Sequence, residues 1–490
     1  MMNKIIVIVA VLMFAWIEKG RAIVKDTVSG YDLEQCISYA LQNNPDIRLN
    51  YLHMEDRQRD LMHSKGERLP ELQSSFFQGF QFGRSIDPTT NAFAFTNYSS
   101  NSLGLYFSLM LYNGGAIKNG IKESELRVES ASIGLNIAKE RIQLNVLMGY
   151  LDVLLKEELS ESAKSILKIT TDQMKQTRVL IDAGLEAESE MYKLKAQRAS
   201  QELDVIRAES DLEMALLKLK QEMFFPDERH LTIISPKLIE EQIGTLDVES
   251  FDYIMDLAYK TSLEVKQSEV DIESSIYGQK KMKGLFLPKV SLNAENVTNY
   301  SSAQNTIRQV ATGNKITMDP SPIGFLESNP EQVVYSLPYE TDEYEIKDGY
   351  SLGKQWNDNM YQNVNLRVNI PIFNGFKNKA QSQKSKIATD KLEVERQKVE
   401  ITLRNVLKQA YLDAKAAHKA HQSAKQELSS SQYNMDMAQK LFNNGKGSFV
   451  DFQVAQQKVF IANSNLIQSK YNYIFKRKIL DFYMTHEIIL

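Results

Sequence analysis

Residues 33–72 read LEQCISYALQNNPDIRLNYLHMEDRQRDLMHSKGERLPEL, and this stretch returns 218 positions later with no insertion. Ala40 answers Ala258, Asp46 answers Glu264, Ile47 answers Val265, Gly66 answers Gly284, and Leu69-Pro70 answers Leu287-Pro288. Further on the offset is 261. Asn113-Gly114 matches Asn374-Gly375, Tyr150-Leu151-Asp152 matches Tyr411-Leu412-Asp413, Gly184 matches Gly445 and Leu219 matches Leu480. A duplicated unit points to a pseudo-symmetric architecture. The change of offset places 43 extra residues in the second copy, between its Leu-Pro pair and its Asn-Gly.

Working outward, the 490 residues divide into one body of two halves rather than several unrelated domains. Charged residues make up 24% and the mean hydropathy is -0.35. No apolar run after residue 20 approaches the roughly 20 residues that cross a bilayer as a helix, so any membrane role falls to strands. The start of the chain has a processing pattern: Lys4, an apolar core from Ile5 to Ile17, and Gly20-Arg21-Ala22 with small residues at positions -3 and -1. It predicts a secretory signal peptide over 1–22, with an uncleaved anchor as the alternative. Cleavage removes three bases and one acid, taking the net charge from -4 to -6, which offers no nucleic-acid footprint. The single cysteine, Cys36, cannot form an internal disulfide. Leu33-Glu34-Gln35 before it are not the small residues of a lipid-attachment site, and it lies inside a helical pattern, so it reads as a buried or half-buried helix residue.

Each copy gives the order helix, strand, loop, strand, very long helix, turn, helix. The strands follow from period-2 alternation. Leu103, Leu105, Phe107, Leu109 and Leu111 share one face, as do Val364, Leu366, Val368, Ile370 and Ile372, while Asn365, Arg367 and Asn369 face the other way. The first repeat spans 23–223, with strands over 72–83 and 103–112, a long helix over 116–182 and a helix over 186–223. A linker or belt segment follows over 224–249. The second repeat spans 250–490, with strands over 290–296 and 361–372, a long helix over 376–443 and a helix over 448–483. The strand over 290–296 is short for a span of about 9–11 residues.

Four strands cannot close a barrel in lipid, and an open edge there leaves backbone groups unpaired. Bacterial barrels begin at about eight strands. If the strands are in a membrane, several chains share one barrel; an ordinary half-buried soluble sheet is the alternative. The long helices carry the 3- and 4-residue steps of supercoiled packing, such as Ala410, Ala414, Ala417, His421, Ala424 and Leu428. Asp32–Lys65 with Glu186–Met223 matches the length of Ala116–Asp182, and Ser250–Gly284 with Ser448–Tyr483 matches that of Phe376–Asn443. Two short helices are thus expected end to end beside each long one. The loop over 297–360 reads as long and structureless. Between Asp319 and Tyr350 it holds eight acids and one base, Lys347.

The chain resembles the TolC-like outer-membrane efflux proteins. The resemblance rests on Leu33-Glu34-Gln35-Cys36-Ile37 through Ala40-Leu41, Asn44-Pro45-Asp46, the Leu-Pro and Asn-Gly that bracket each strand pair, and a hairpin glycine followed six residues later by an acid, Gly184 with Glu190 and Gly445 with Asp451. It implies an α+β membrane protein: a trimeric 12-stranded β-barrel, four strands per chain, continuing into a long periplasmic α-helical barrel built from two internal repeats. The implied function is that of an outer-membrane exit duct. The partners implied are two further copies, outer-membrane lipid, a periplasmic adaptor and an inner-membrane pump of the resistance or ABC type, with no cofactor and no enzymatic activity. A duct for type I protein secretion is an alternative, and so is a pore-less periplasmic coiled-coil scaffold.

The resemblance also points to residues. Asp451 and Val454 match two acidic positions of a periplasmic gate, of which only the first keeps its acid; Asp451 also fits a first-turn acid of its helix. Ser189, Glu190, Phe442 and Gly447 match a polar latch, but Phe442 and Gly447 replace a tyrosine and an arginine, so the latch cannot form in the same way. The turns at Ala183, Gly184 and Leu185 and at Asn444, Gly445 and Lys446 are expected to dock the adaptor, or simply to end helices through a left-handed glycine. Asn365, Arg367 and Asn369 are expected to line the barrel lumen. His418 and His421 lie three apart on a helix with no evident third ligand, and no metal site is expected. No P-loop, dinucleotide fingerprint or nucleophile motif is present.

Overall fold

The computed structural model describes residues 30–485 apart from 88, 90, 92, 95–96, 185, 235–249 and 304–306. The signal-peptide reading over 1–22, most of the linker, Leu185 and His486 lie outside the described residues.

In chain order the elements are α1 (Leu33–Asn43), α2 (Pro45–Gly66), β1 (Glu71–Gln81), β2 (Ser85–Ile86), β3 (Phe93–Ala94), β4 (Tyr98–Asn113), α3 (Ala116–Asp182), α4 (Glu188–Met223), α5 (Phe251–Thr261) and α6 (Leu263–Lys283). After a 3-10 turn at Gly284–Phe286 come β5 (Lys289–Ser301), β6 (Ile307–Met318), β7 (Pro322–Leu326), β8 (Asn329–Tyr335), β9 (Tyr339–Asp348), α7 (Leu352–Asp358), β10 (Tyr361–Asn369), α8 (Lys377–Asn443) and α9 (Phe449–Thr485). Among the described residues no helix is long and apolar enough to cross a membrane.

The chain divides into two compact units. The first holds residues 1–53, 131–267 and 396–490; the second holds 54–130 and 268–395. In the first unit the core is helical. Leu33, Cys36 and Ala40 of α1 and Leu219 and Met223 at the end of α4 meet Ile142, Val146, Leu147, Tyr150 and Leu154, midway along α3. Ile467, Tyr471 and Ile474 of α9 join them. Tyr150 donates from its hydroxyl to the Ile234 carbonyl at 2.5 Å, satisfying a polar atom that burial would otherwise strand. A second cluster packs Ile254 and Ala258 of α5 on Leu407, Ala410 and Ala414 of α8 and Leu480 of α9. The alanines let these helices approach closely.

Cys36 is fully buried, and burial together with the nearby Asp32 charge pushes its thiol up to about 12. A thiolate is the reactive form. Native protein at pH 7 should therefore take up no maleimide at Cys36, and stoichiometric labelling should appear only on unfolding; mass spectrometry of the intact chain reads the difference.

Two helices expected as continuous are broken. The stretch from Asp32 stops at Asn44, whose N–H donates to the Ala40 carbonyl at 2.8 Å. The Asn44 side chain then accepts from the Asp46 N–H at 2.8 Å and starts α2. Pro45 follows, fixed in φ and lacking an N–H, as suits a first helical turn. In the second half Ser262 does the same work without a proline, accepting from the Val265 N–H at 3.3 Å.

The second unit contains a four-stranded antiparallel sheet in the order β1-β4-β5-β10. The strand over 290–296 is in fact the longer Lys289–Ser301. Its upper half is polar and carries no alternation, yet it is held by β4 on one side and by α7 above. The strand expected over 103–112 begins earlier, at Tyr98, for the same reason. The strands expected over 72–83 and 361–372 end sooner, at Gln81 and Asn369. Pro371 has no N–H for a ladder and steers Ile370 away from regular pairing.

The stretch read as a structureless loop is largely β-structure. β6 pairs with β9 and β7 with β8, forming two antiparallel ribbons. Glu343 is fixed by the Thr312 hydroxyl at 2.7 Å and the Asn314 amide at 3.1 Å, which hold its carboxyl below the usual range. At the base, a buried polar knot joins both strand-to-strand loops to the sheet. Ser301 donates its hydroxyl to Asp87 at 2.5 Å, and Gln355 of α7 accepts from the Ser301 N–H at 3.0 Å. Trp356 donates its indole N–H to Asn101 at 2.9 Å.

Candidate functional site

Three places carry the residues singled out above: the sheet, and the tips of the hairpins α3–α4 and α8–α9.

Directly opposed residues of an antiparallel pair lie on the same face. The register sets Leu109 opposite Leu292, and Leu292 opposite Leu366; Phe107 stands opposite Ala294, and Ala294 opposite Val364. One face is therefore apolar, and it is uncovered: Leu366 is 61% exposed and Val364 72%. The other face is polar and cross-linked. Ser108 donates to Asn293 at 3.1 Å, Asn293 donates to Asn365 at 3.3 Å, and Asn363 donates to Glu295 at 3.1 Å. Arg367 stands opposite Ser291 and Asn369 opposite Lys289 on this same face. The three residues expected on the wet side thus share it with Ser108, Asn293 and Glu295.

At the first hairpin tip, Gly184 has φ 76° and its N–H donates to the Ile181 carbonyl at 2.8 Å. Ala183 closes on Val179. Arg178 reaches across the turn to Asp182 at 3.1 Å and Glu188 at 3.5 Å, clamping its two limbs. Ser189 is exposed, whereas Glu190 is turned inward with its side chain 15% exposed and paired to Lys193 at 2.7 Å. At the second tip Gly445 has φ 66°, and the N–H groups of Lys446 and Gly447 both donate to the Leu441 carbonyl. This winding is tight: a Cβ on Gly447 would sit 3.0 Å from the Leu441 Cβ and 3.1 Å from the Phe442 nitrogen. Phe442 stacks on Phe452 and tilts against Phe449, with ring centres 6.2 and 5.4 Å away. Asn444 is exposed, and Asp451 is an exposed first-turn acid of α9. Ser448 caps that start, its hydroxyl accepting from the Val450 N–H at 3.1 Å and from the Asp451 N–H at 3.4 Å.

Between the hairpins lies a groove of about 1180 Å³, lined by Lys193, Gln197, Gln173, Val450, Val454 and Gln456 among others. Val454 faces it and Asp451 does not. A ladder of uncharged contacts bridges it: Gln453 donates to Gln197 at 3.1 Å, Gln173 to Gln456 at 3.1 Å and Asn463 to Ser162 at 3.1 Å. One ion pair, Lys470 with Glu158 at 3.0 Å, closes the series. Neither the ladder nor the Arg178 clamp was expected from sequence. The Arg178–Asp182 spacing of four was the only visible signal for the clamp.

His418 and His421 lie against the Tyr473 ring, at 5.0 and 6.3 Å between centres, so they pack on an aromatic residue. Among the described residues no cluster of three or more His, Cys, Asp or Glu side chains suits a metal.

Comparison with known proteins bears on the family and the fold. The family model described as outer membrane efflux protein matches residues 36–223 and 345–483. The outer membrane efflux protein BepC of Brucella suis biovar 1 (strain 1330) is 17% identical over 472 residues, covering 96% of this chain and 88% of that one. Among solved structures, CusC superposes with a TM-score of 0.71 at 15% identity, covering 92% of this chain and 91% of its own. The outer membrane protein VceC of Vibrio cholerae gives 0.66 at 12%, covering 93% and 95%. The chain belongs to the outer membrane efflux protein family. It is a TolC-like protein of the outer membrane, with its helical part in the periplasm.

Proposed function

We propose that this chain is the outer-membrane exit duct of a tripartite efflux system. Three copies close a twelve-stranded barrel, and their helices form a periplasmic tunnel. Small molecules such as drugs and toxic compounds enter it from an inner-membrane pump through a periplasmic adaptor, which docks on the hairpin turns around Gly184 and Gly445. The chain acts as a channel and not as an enzyme.

One observation carries this reading: a four-stranded sheet whose two edges, β1 and β10, are unpaired among the described residues, with a bare apolar face backed by a hydrogen-bonded polar one. In hydrocarbon each open edge leaves backbone N–H and C=O groups unpaired at a cost of several kcal/mol per group. Neighbouring copies remove both edges at once. The apolar face then meets lipid, and the Asn293–Asn365 face meets water in the lumen.

The full chain extracted from outer membranes should resist carbonate, need detergent, and show the mass of three copies by light scattering. A monomer soluble without detergent defeats the proposal. A strain lacking the gene should become more sensitive to pump substrates and regain resistance on complementation.

The tip of α9 is proposed as the gate. Three Asp451 carboxylates brought around one axis repel one another and attract cations. Asp451→Ala should weaken block by divalent cations in planar-bilayer recordings; unchanged block removes Asp451 from the gate. Phe442 and its two aromatic neighbours take the place of the polar latch, and Ser189, Glu190 and Gly447 contribute shape rather than a shared hydrogen-bond network.

A further inference from the structure

We propose that the polar face of the sheet carries a binding site for organic cations, built from the Tyr106 ring laid over Gly104 beside the Glu295 carboxylate. The inference rests on the exit-duct reading, which turns this face to the lumen, and it names a class of molecule for the duct: compact alkylammonium compounds.

Aromatic rings are out of place on the wet side of a sheet, yet this side has exposed ones. Tyr106 stands opposite Gln73 and Glu295, Phe77 opposite Ser102, and Tyr361 opposite Val297. The register puts all three on the face of Asn293 and Asn365, and they are 39%, 57% and 57% exposed.

Two of these rings are seated on glycine. A Cβ on Gly104 would fall 2.6 Å from the Tyr106 ring and hydroxyl, and one on Gly79 would fall 2.9 Å from the Phe77 ring. Neither glycine has a left-handed backbone, and glycine inside a strand weakens it. Both are explained as seats. Each ring leans two residues along its own strand and covers bare main chain. A ring held in this way lies along the wall, with one face on the glycine and the other turned to the lumen. A side chain at the seat would lift the ring into the bore.

The face of an aromatic ring is the negative part of its quadrupole, and it attracts a cation that comes within about 6 Å of the ring centre. Glu295 supplies the second attraction. As the residue directly opposite Tyr106, it has its Cβ about 4.5–5.5 Å from that of the tyrosine. It accepts from the neutral Asn363 amide at 3.1 Å, and among the described residues it has no ion-pair partner. Glu71 lies on the same face, two residues from Gln73. The bases of this face are further off. Arg367 is four residues along β10 from Asn363, about 13 Å, and Lys289 is six residues along β5 from Glu295, about 20 Å. A carboxylate alone would favour any cation, and a ring alone would take neutral apolar molecules. The two side by side select a cation that also carries apolar surface, and quaternary ammonium groups are the ligands aromatic faces recognise.

The full-length protein in planar bilayers tests this, with tetrapropylammonium as the probe and the fall in potassium chloride conductance as the readout. Tyr106→Leu should raise the dissociation constant of the probe about 2–5-fold, Tyr106→Phe should keep it within about twofold of wild type, and Tyr106→Trp should lower it. Glu295→Gln should raise it as well; no change there removes the carboxylate from the site. Asp451 is present in every variant and drops out of the comparison. Equal affinity in the leucine and phenylalanine variants overturns the site, because apolar contact would then suffice. A wild-type channel whose conductance tetrapropylammonium does not reduce also overturns it, and leaves the duct standing. A wild type that is monomeric and forms no channel overturns the duct reading beneath. The seat has its own test. Gly104→Ala should lower the conductance in potassium chloride without any probe, and adding Tyr106→Leu should restore it. Unchanged conductance in Gly104→Ala removes the seat.

Discussion

Outer membranes from cells producing Gly114→Ala should contain no folded oligomer, while Gly375→Ala should yield a protomer whose own fold is intact. The two glycines occupy the same sequence context and nearly the same backbone, with φ 67° and 62°. An alanine costs about 1–2 kcal/mol in that left-handed conformation at either position. At Gly114 the new methyl also meets a backbone oxygen at 2.3 Å. The obstacle is main chain, so no rotamer change relieves it, and the turn and the 3-10 segment have to separate. A total of about 4 kcal/mol or more is reasonable for a strained position that also overpacks. At Gly375 no such neighbour exists among the described residues, so far-ultraviolet circular dichroism of the detergent-solubilised mutant should stay native. Equal loss of folded protein in both mutants would show that strain alone matters.

Leu366→Lys and Asn365→Lys should differ sharply although the residues are adjacent. Leu366 lies on the bare apolar face opposite Leu292, and Asn365 on the hydrogen-bonded face with Asn293. A lysine on the lipid side of a barrel costs about 2–4 kcal/mol near the midplane, and a trimer bears that cost in each copy. Leu366→Lys should therefore lower the amount of heat-resistant oligomer several-fold. Asn365→Lys should assemble normally and shift the pore toward anions in reversal-potential measurements. If Asn365→Lys is the variant that fails to assemble, the faces are assigned the wrong way round.

These effects also mark what the sequence could disclose. The alternation Val364–Ile372 named both faces of β10, because period-2 burial leaves a simple trace. It was silent about β5 above Asn296, where Thr298, Asn299 and Ser301 are polar on both faces and are placed by β4, Trp356 and Asn359. The acidic stretch 319–350 hid its strands for a related reason. Both faces of a free ribbon meet solvent, so nothing selects a period. The helix break at Asn44-Pro45 was legible in principle, since proline ends or restarts a helix, but the equivalent break at Ser262 carries no such mark. At the hairpin tips the glycines and the first-turn acid could be read from spacing. The aromatic packing of Phe442 and the glutamine ladder could not, because a glutamine on a helix surface looks the same whether it faces water or another amide.

That ladder has a consequence of its own. Gln453–Gln197, Gln173–Gln456 and Asn463–Ser162 join the hairpins through neutral groups, one donating and one accepting in each pair. Ions in solution weaken attraction between charges and leave dipolar contacts of this kind nearly untouched. Along these three contacts the separation of the hairpins is thus set by temperature and by competing amides or hydroxyls, and the saltiness of the compartment acts on the series through the Lys470–Glu158 pair at its end.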